Sequence, residues 1–336
     1  MSHQQSTLNE ESIRPKNLLV SEDLLQQEER KEFMAMKHKF VSVPCPACGI
    51  EKSKPRFDKH GFDFVECTDC ETVYVNPRPS SEMLDTYYST SKSIKFMNDF
   101  IFAATDDVRR ERIFRPRAEK VVEVCQLHGA KNKLLVDVGA GFGTFAEVIQ
   151  ENGHFDKVIA VEPSPDLANS CRKKNVEVLE KPIEKVELDN PSVITNFELI
   201  EHLFCPKDFI QACAGVLSQG GLMLLTTPNI KGFDLQVLGT LSNNIFAPNH
   251  LNYFHPASLS LLLERCGFEV LEVLTPGKLD AEIVRGRIQS GELDVSDSPF
   301  LRQVLIEEWD RVGQAFQDFI ATNKLSSHMW IVARKK

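Results

Sequence analysis

No apolar stretch in this chain approaches the roughly 18 residues of a membrane-spanning helix. The first residues, MSHQQSTLNEES, lack the basic start and the apolar centre of a secretory signal. Positive charge is not in excess: 39 Lys and Arg stand against 48 Asp and Glu, a net charge of −9. That balance argues against a general binder of nucleic acid or anionic membrane, which needs a positive field. Internal repeats are absent. Nine cysteines in 336 residues do not make a disulfide framework. What remains is an ordinary globular composition, 42% hydrophobic and 26% charged, long enough for about two domains and expected in the reducing cytoplasm.

Four of the cysteines form two pairs, Cys45-Pro-Ala-Cys48 and Cys67-Thr-Asp-Cys70, in a C-x2-C-x18-C-x2-C pattern. Thiolates so spaced reach one tetrahedral zinc at about 2.3 Å, and Gly49 stands where the knuckle turn must relax the backbone. Four protein thiolates close the site, so the zinc is expected to be structural. The alternatives are an iron site or four reduced cysteines without metal. Cys125, Cys171, Cys205, Cys213 and Cys266 lie in apolar settings and are expected to be buried.

Four segments follow from the punctuation. Residues 1–42 read as a polar start, loose to about residue 20, then a helix over 21–39 capped by Ser21. Residues 43–80 read as a zinc ribbon of short β runs ending in the NPRPS linker. Residues 81–130 read as helical, with Pro116 a break or a helix start and Gly129 a stop. From 131 to 336, KLLVDVGAG, KVIAVEP, VEVLE, SVITNFEL, LMLLTTP, FEVLEVLT and HMWIVAR are seven candidate strands, most of them separated by helical stretches. Strands alternating with helices predict an α/β domain with a parallel sheet covered on both faces. A single long helix is expected over 299–323. The insert 230–256 has no periodicity and carries aromatics, asparagines and histidines; irregular loops of that length are usually functional, and this one reads as an acceptor-binding lid.

The first strand breaks into Asp137-Val-Gly139-Ala140-Gly141-Phe-Gly143. A dinucleotide fingerprint needs a third glycine at 144, where this chain has Thr144. The acid of Asp137 is unfavourable beside a pyrophosphate and suits a ligand with an ammonium group. Glu162 ends the next strand, where a carboxylate can accept from two ribose hydroxyls. Ammonium, ribose and no pyrophosphate point to S-adenosylmethionine. The competing readings are a tight turn without ligand and a dinucleotide site.

With Glu162-Pro163, NFELIEHL at 196–203 and GGLMLLTTPN at 220–229, this loop resembles the class I S-adenosylmethionine-dependent methyltransferases over residues 130–335. The resemblance implies a Rossmann-like seven-stranded sheet with its last strand antiparallel, the loop Asp137, Gly139, Ala140, Gly141 and Gly143 against the methionine part, and Glu162 and Pro163 at the ribose. It further implies Pro182 and Ile183 at the adenine, and Asn196 and Phe197 on the methionine side. The ribbon followed by VYVNPRPSSEMLDTYYS is similar to a narrower group of zinc-ribbon methyltransferases in surface polysaccharide and deoxysugar biosynthesis. That likeness implies Tyr87 and Tyr88 near donor or acceptor. In some of those enzymes a Glu-His pair stands where this chain has Asn249-His250.

Methyl transfer to a hydroxyl, amine or carbon acid can need a base, and histidine suits neutral pH. His250 in the insert and His202 just past the fourth strand are the candidates; His255, before Pro256, reads as a helix cap. Arg285 or Arg287 is read as a partner for nucleotide-sugar phosphates. The function expected is methylation of a small-molecule or glycan acceptor, a sugar that is nucleotide-linked or part of a polysaccharide precursor. The rivals are an RNA methyltransferase that holds RNA on its ribbon and a non-catalytic module that binds cofactor or protein.

Overall fold

The computed structural model describes residues 10–336; the first nine residues of the polar start lie outside the described residues. The start is helical earlier than expected. Helices span Glu10–Ile13 and Lys16–Ala35, the second with Pro15 at its N-cap, so Ser21 is interior and not its cap. Proline fixes its own φ and starts a helix without needing a side-chain cap.

Strands are numbered β1–β11 along the chain. Seven of them, β4 (Leu134–Val138), β5 (Lys157–Val161), β6 (Glu177–Leu179), β7 (Val193–Phe197), β8 (Leu222–Pro228), β10 (Phe268–Leu274) and β11 (His328–Lys335), coincide with the seven predicted runs. They form one sheet in the order β10-β11-β8-β7-β4-β5-β6. Neighbours among β4–β8 are parallel, and β11 runs antiparallel between β8 and β10. Alternate residues supply two apolar layers, as the two-residue period of a strand requires. Val136, Val138, Ile194, Met223 and Leu225 face the helices Pro206–Val216 and Pro256–Arg265. Leu135, Val158, Val193, Leu222 and Leu224 face Arg115–Leu127 and Thr144–Asn152.

The second sheet has the order β1-β2-β3-β9, with β1 Ser53–Lys59, β2 Phe62–Cys67, β3 Val73–Val75 and β9 Asn252–Tyr253. Its fourth strand therefore comes from the insert, through the pairs Val73↔Tyr253 and Tyr74↔Asn252. Ile245, Ala247, Leu251 and Tyr253 are buried with Phe62, Phe64 and Val75 in one cluster. The insert thus packs into the ribbon and supplies its edge strand. Short turns, not a helical or strand period, space its apolar residues.

Pro116 stands at a helix start, one of its two expected readings, while the expected single helix over 299–323 is interrupted. From Lys92 to Leu127 the chain is helical with wide turns at Met97–Phe102 and Arg110–Phe114. Pro116 sits just after the second, where a missing N–H is tolerated. The long helix breaks at Glu308 into Pro299–Arg302, a wide turn and Trp309–Thr322.

Asp234, in the insert helix Phe233–Leu238, is 1% exposed, and neither carboxyl oxygen has a hydrogen-bond partner among the described residues. Burial, then neighbouring Asp280, raises its pKa from 3.8 to about 7. The folded state thus binds this proton more tightly than the unfolded one, so stability falls as pH rises from 3.8 to about 7. Asp234→Asn should remove that decline and stabilise the protein at pH 8 by about 1–3 kcal/mol. Urea midpoints measured across pH test this; an unchanged pH slope contradicts it.

Candidate active site and four-cysteine cluster

The loop from Gly139 to Gly143 leaves the carboxyl edge of β4 and opens the helix Thr144–Asn152. All three glycines have positive φ, at +72, +56 and +73, but for different reasons. A Cβ on Gly139 would lie 2.6 Å from Leu199, and one on Gly143 would meet Cys171 at 2.8 Å. Gly141 faces open space, so it is the glycine that leaves room for a ligand. Its N–H donates to Glu162 Oε2 at 2.9 Å, and Ser164 N–H donates to Oε1 at 2.9 Å. Each carboxylate oxygen keeps a second lone pair for a hydroxyl. Pro163 is exposed beside it, and Gly139 and Ala140 N–H both donate to Val161 O. Asp137 is buried behind the loop, held by Thr195 Oγ1 at 2.8 Å, and burial raises its pKa to about 7. It stands near the end of β4, two residues before Gly139.

One strand over, the turn after β7 carries Glu198, Leu199, Glu201 and His202 at the same sheet edge; the contact of Leu199 with Gly139 joins the two turns. His202 Nδ1 lies 2.9 Å from Asn249 O, and His250 Nδ1 lies 2.9 Å from Asn244 O. A carbonyl only accepts, so each Nδ1 carries the hydrogen and each neutral ring keeps its lone pair on Nε2. Burial lowers both histidine pKa values, that of His250 well below its ordinary value. The rings meet edge to face with centroids 4.7 Å apart. Glu201 is 1% exposed; Oε2 accepts from Thr227 Oγ1 at 2.9 Å, and Oε1 has no partner. Burial raises its pKa well above the carboxylate range. Tyr88 closes one side, its hydroxyl donating to Asn249 O at 3.2 Å.

Arg78 holds this cluster to the ribbon. Fully buried, it donates to Val75 O at 3.0 Å, Phe204 O at 3.2 Å, Leu251 O at 3.4 Å and Asn252 Oδ1 at 3.1 Å. Asn252 Nδ2 in turn donates to Leu203 O at 2.7 Å and to Ile200 O and Glu201 O at 3.3 Å. Arg78→Met keeps an apolar stem but leaves these acceptors without a donor. It should cost about 3 kcal/mol, seen as a lower thermal midpoint; a cost under about 0.5 kcal/mol would show that the pin contributes little.

Other expected site residues are placed differently. Tyr87 is 6% exposed, packed edge-on against Phe33 at 5.4 Å between two helices, and does not join the cluster. Phe197 points into an aromatic group, 4.7 Å from Phe145 and 5.6 Å from Trp330, with Arg117 stacked 4.5 Å above its ring. Ile183 is 3% exposed in the core beneath the half-buried Pro182. Asn196 is fully buried, donating to Val138 O at 3.0 Å, with its Oδ1 unpartnered. Arg285 stacks 4.9 Å over Trp309 with its Nε unpartnered among the described residues, and Arg287 pairs with Glu292. Cys205 is exposed, while the other four non-paired cysteines are buried. His255 caps the helix Pro256–Arg265 as expected, and its Nε2 donates to Cys70 O at 2.8 Å. Glu201 and Arg78 were missed. The signal for Glu201 was its position beside His202 at a strand's carboxyl edge; Arg78 sits in a linker motif that shows no partner locally.

Cys45, Cys48, Cys67 and Cys70 converge, with their sulfurs within 4.8 Å of one another. Cys45 and Cys70 are 3.5 Å apart, and Cys48 and Cys67 are 3.4 Å apart. Arms of about 2.3 Å to one tetrahedral ion place sulfurs about 3.8 Å apart, so this donor set fits zinc. Two equivalent knuckles frame it: Gly49 N–H donates to Cys45 O at 2.9 Å, and Glu71 N–H to Cys67 O at 3.1 Å. Gly49 and Glu71 both take positive φ. Arg265 Nη1 donates to Ala47 O at 2.5 Å, tying the first knuckle to the main domain.

Residues 109–273 match the model of a family described as a methyltransferase domain. A "Probable S-adenosylmethionine-dependent methyltransferase" of Mycolicibacterium smegmatis is 27% identical over 205 residues, covering 57% of this chain and 76% of that protein. A ubiquinone biosynthesis O-methyltransferase of Xanthomonas euvesicatoria is 27% identical over 172 residues, 47% of this chain and 70% of its own. Among solved structures, an S-adenosylmethionine-dependent methyltransferase of Clostridium acetobutylicum is 10% identical, with a TM-score of 0.47 over 71% of this chain and 98% of that one. No helix among the described residues is long and apolar enough to cross a membrane. With the strand order, the glycine loop and the acid at the second strand end on the page, the chain is an S-adenosylmethionine-dependent methyltransferase built on a class I methyltransferase domain.

Proposed function

We propose that this enzyme methylates a hydroxyl of a sugar, either nucleotide-linked or within a polysaccharide precursor, with S-adenosylmethionine lying over the glycine loop and Glu162. The observation that carries the reading is the convergence of His202, His250 and Glu201 at the sheet edge beside that loop. Donor and acceptor are then held side by side, and positioning supplies much of the rate. His202, His250 and Glu201 line the acceptor side and activate its hydroxyl, while Tyr88 closes that side with its hydroxyl on the Asn249 carbonyl. The relative that acts in ubiquinone biosynthesis is also an O-methyltransferase by name. The four cysteines hold a structural zinc that keeps the ribbon, and through β9 the histidine-bearing insert, in place.

The charge of the ribbon favours a small acceptor over RNA. Lys54 and Arg56 on β1 share the carboxylate of Glu66, at 2.8 and 3.1 Å, which offsets part of the positive charge on that face. The test uses S-adenosylmethionine with a labelled methyl group, added with purified protein to an extract of the source cell. Label in small anions or glycan precursors is expected. Label in RNase-sensitive material overturns the sugar reading, and cofactor binding with no labelled fraction overturns catalysis itself.

A further inference from the structure

Three features of the histidine cluster are left over once it is read as an acceptor site. The ligand-capable atoms of Glu201, His202 and His250 lie within 4.8 Å of one another, and His202 Nε2 is 3.9 Å from Glu201 Oε1. Each imidazole is fixed by a backbone carbonyl at Nδ1, the arrangement that orients a metal-ligating histidine and presents its other nitrogen. Glu201 Oε1 is buried with no donor among the described residues, a state that carries a free-energy cost unless something occupies it.

We infer that Glu201, His202 and His250 bind a divalent transition-metal cation, separate from the four-cysteine zinc. Bonds of about 2.1 Å to one ion place such ligands about 3.0–3.5 Å apart, which small side-chain rotations reach from the present triangle. Two imidazoles and one carboxylate suit Mn2+, Fe2+, Co2+ or Zn2+, whereas Mg2+ and Ca2+ favour all-oxygen sets. Three protein ligands leave positions open for an acceptor hydroxyl. A hydroxyl touching the ion becomes more acidic. In the transfer its oxygen bonds to the methyl carbon as the sulfur–carbon bond breaks, sulfur keeps the electron pair, and the hydroxyl proton passes to water. The inference rests on the reading of this cleft as the acceptor site and specifies how the histidines activate the hydroxyl.

The experiment titrates Mn2+ into the full-length protein, with zinc left in its ribbon, and follows free Mn2+ by electron paramagnetic resonance. Four thiolates are a poor site for Mn2+, so the two metal sites separate. The expected result is a single bound Mn2+ per chain, with spin-echo modulation from imidazole nitrogen. Glu201→Gln and His202→Asn should each weaken binding at least about tenfold while the thermal midpoint and zinc content stay close to those of the parent. No bound Mn2+ at millimolar concentration, or bound Mn2+ without nitrogen modulation, overturns the inference. The nitrogen signal of the parent protein decides the matter even if both variants misfold. S-adenosylmethionine binding, measured on the same sample by calorimetry, keeps the two ideas apart. Cofactor bound without Mn2+ refutes only the cation site; Mn2+ bound without cofactor refutes the proposed function and leaves the cation site standing.

Discussion

Gly141→Arg is expected to abolish S-adenosylmethionine binding and leave a folded protein. Among the described residues, and apart from its own chain neighbours, nothing lies within 4 Å of the Cβ position at Gly141, so an arginine there grows outward over the loop without striking the core. It also places a cation where the bound sulfonium and ammonium already carry positive charge. Affinity should fall by more than about 100-fold, equivalent to about 3 kcal/mol. The fold pays separately for a non-glycine residue at φ +56, a cost of about 1–2 kcal/mol. Calorimetric titration and a thermal melt read the two effects apart. The neighbouring glycines provide the contrast. Gly143→Ala sets a Cβ 3.0 Å from the backbone of Cys171, which cannot swing away, so this variant should lose stability before it loses affinity. Undiminished binding in a folded Gly141→Arg variant would place the cofactor elsewhere.

Stripping the zinc proposed for the four-cysteine cluster should unfold the ribbon, disable methyl transfer and spare cofactor binding. A structural zinc contributes of the order of 10 kcal/mol to folding in small domains, and the ribbon has few apolar residues of its own apart from those it shares with the insert. Without the four-thiolate knot, β3 loses its anchor, and β9 loses the strand it pairs with. His250 sits two residues before β9, so it should drift from His202 and Glu201. The glycine loop and Glu162 belong to the seven-stranded sheet and should persist. Cys67→Ser, or a strong chelator, should therefore raise hydrogen exchange over 45–75 and 244–253 while leaving 134–145 protected. Continued protection of residues 45–75 after complete removal of the metal would show that side-chain packing alone holds the ribbon.

These two results would test parts of the protein that differ in how far they can be read from the chain. The seven strands of the main sheet were legible because each parallel strand is buried on both faces and so is written as an unbroken apolar run, as in LLVDV and LMLLT. The glycine loop, Glu162 and the cysteine pairs were legible because each is local: the turn, the strand end and the knuckle lie within a few residues of the groups they position. Tyr87 and Phe197 show the limit of that approach. Next to each other in sequence, Tyr87 and Tyr88 differ by about 100° around their helix, so one faces the core and the other the cleft.

An α/β sheet, a glycine loop at its edge and two cysteine pairs could be read from the chain alone, since hydrophobic period, glycine placement and cysteine spacing are properties of neighbouring residues. Only the tertiary structure decided that the insert is a strand of the ribbon and that Arg78 and Asn252 bind it to the turn after β7. It alone joined Glu201 and His202 to His250, nearly fifty positions away. That junction depends on buried carbonyls finding donors and on apolar faces finding cover. Both requirements are met by whichever segments the completed fold brings together, and no local pattern records them.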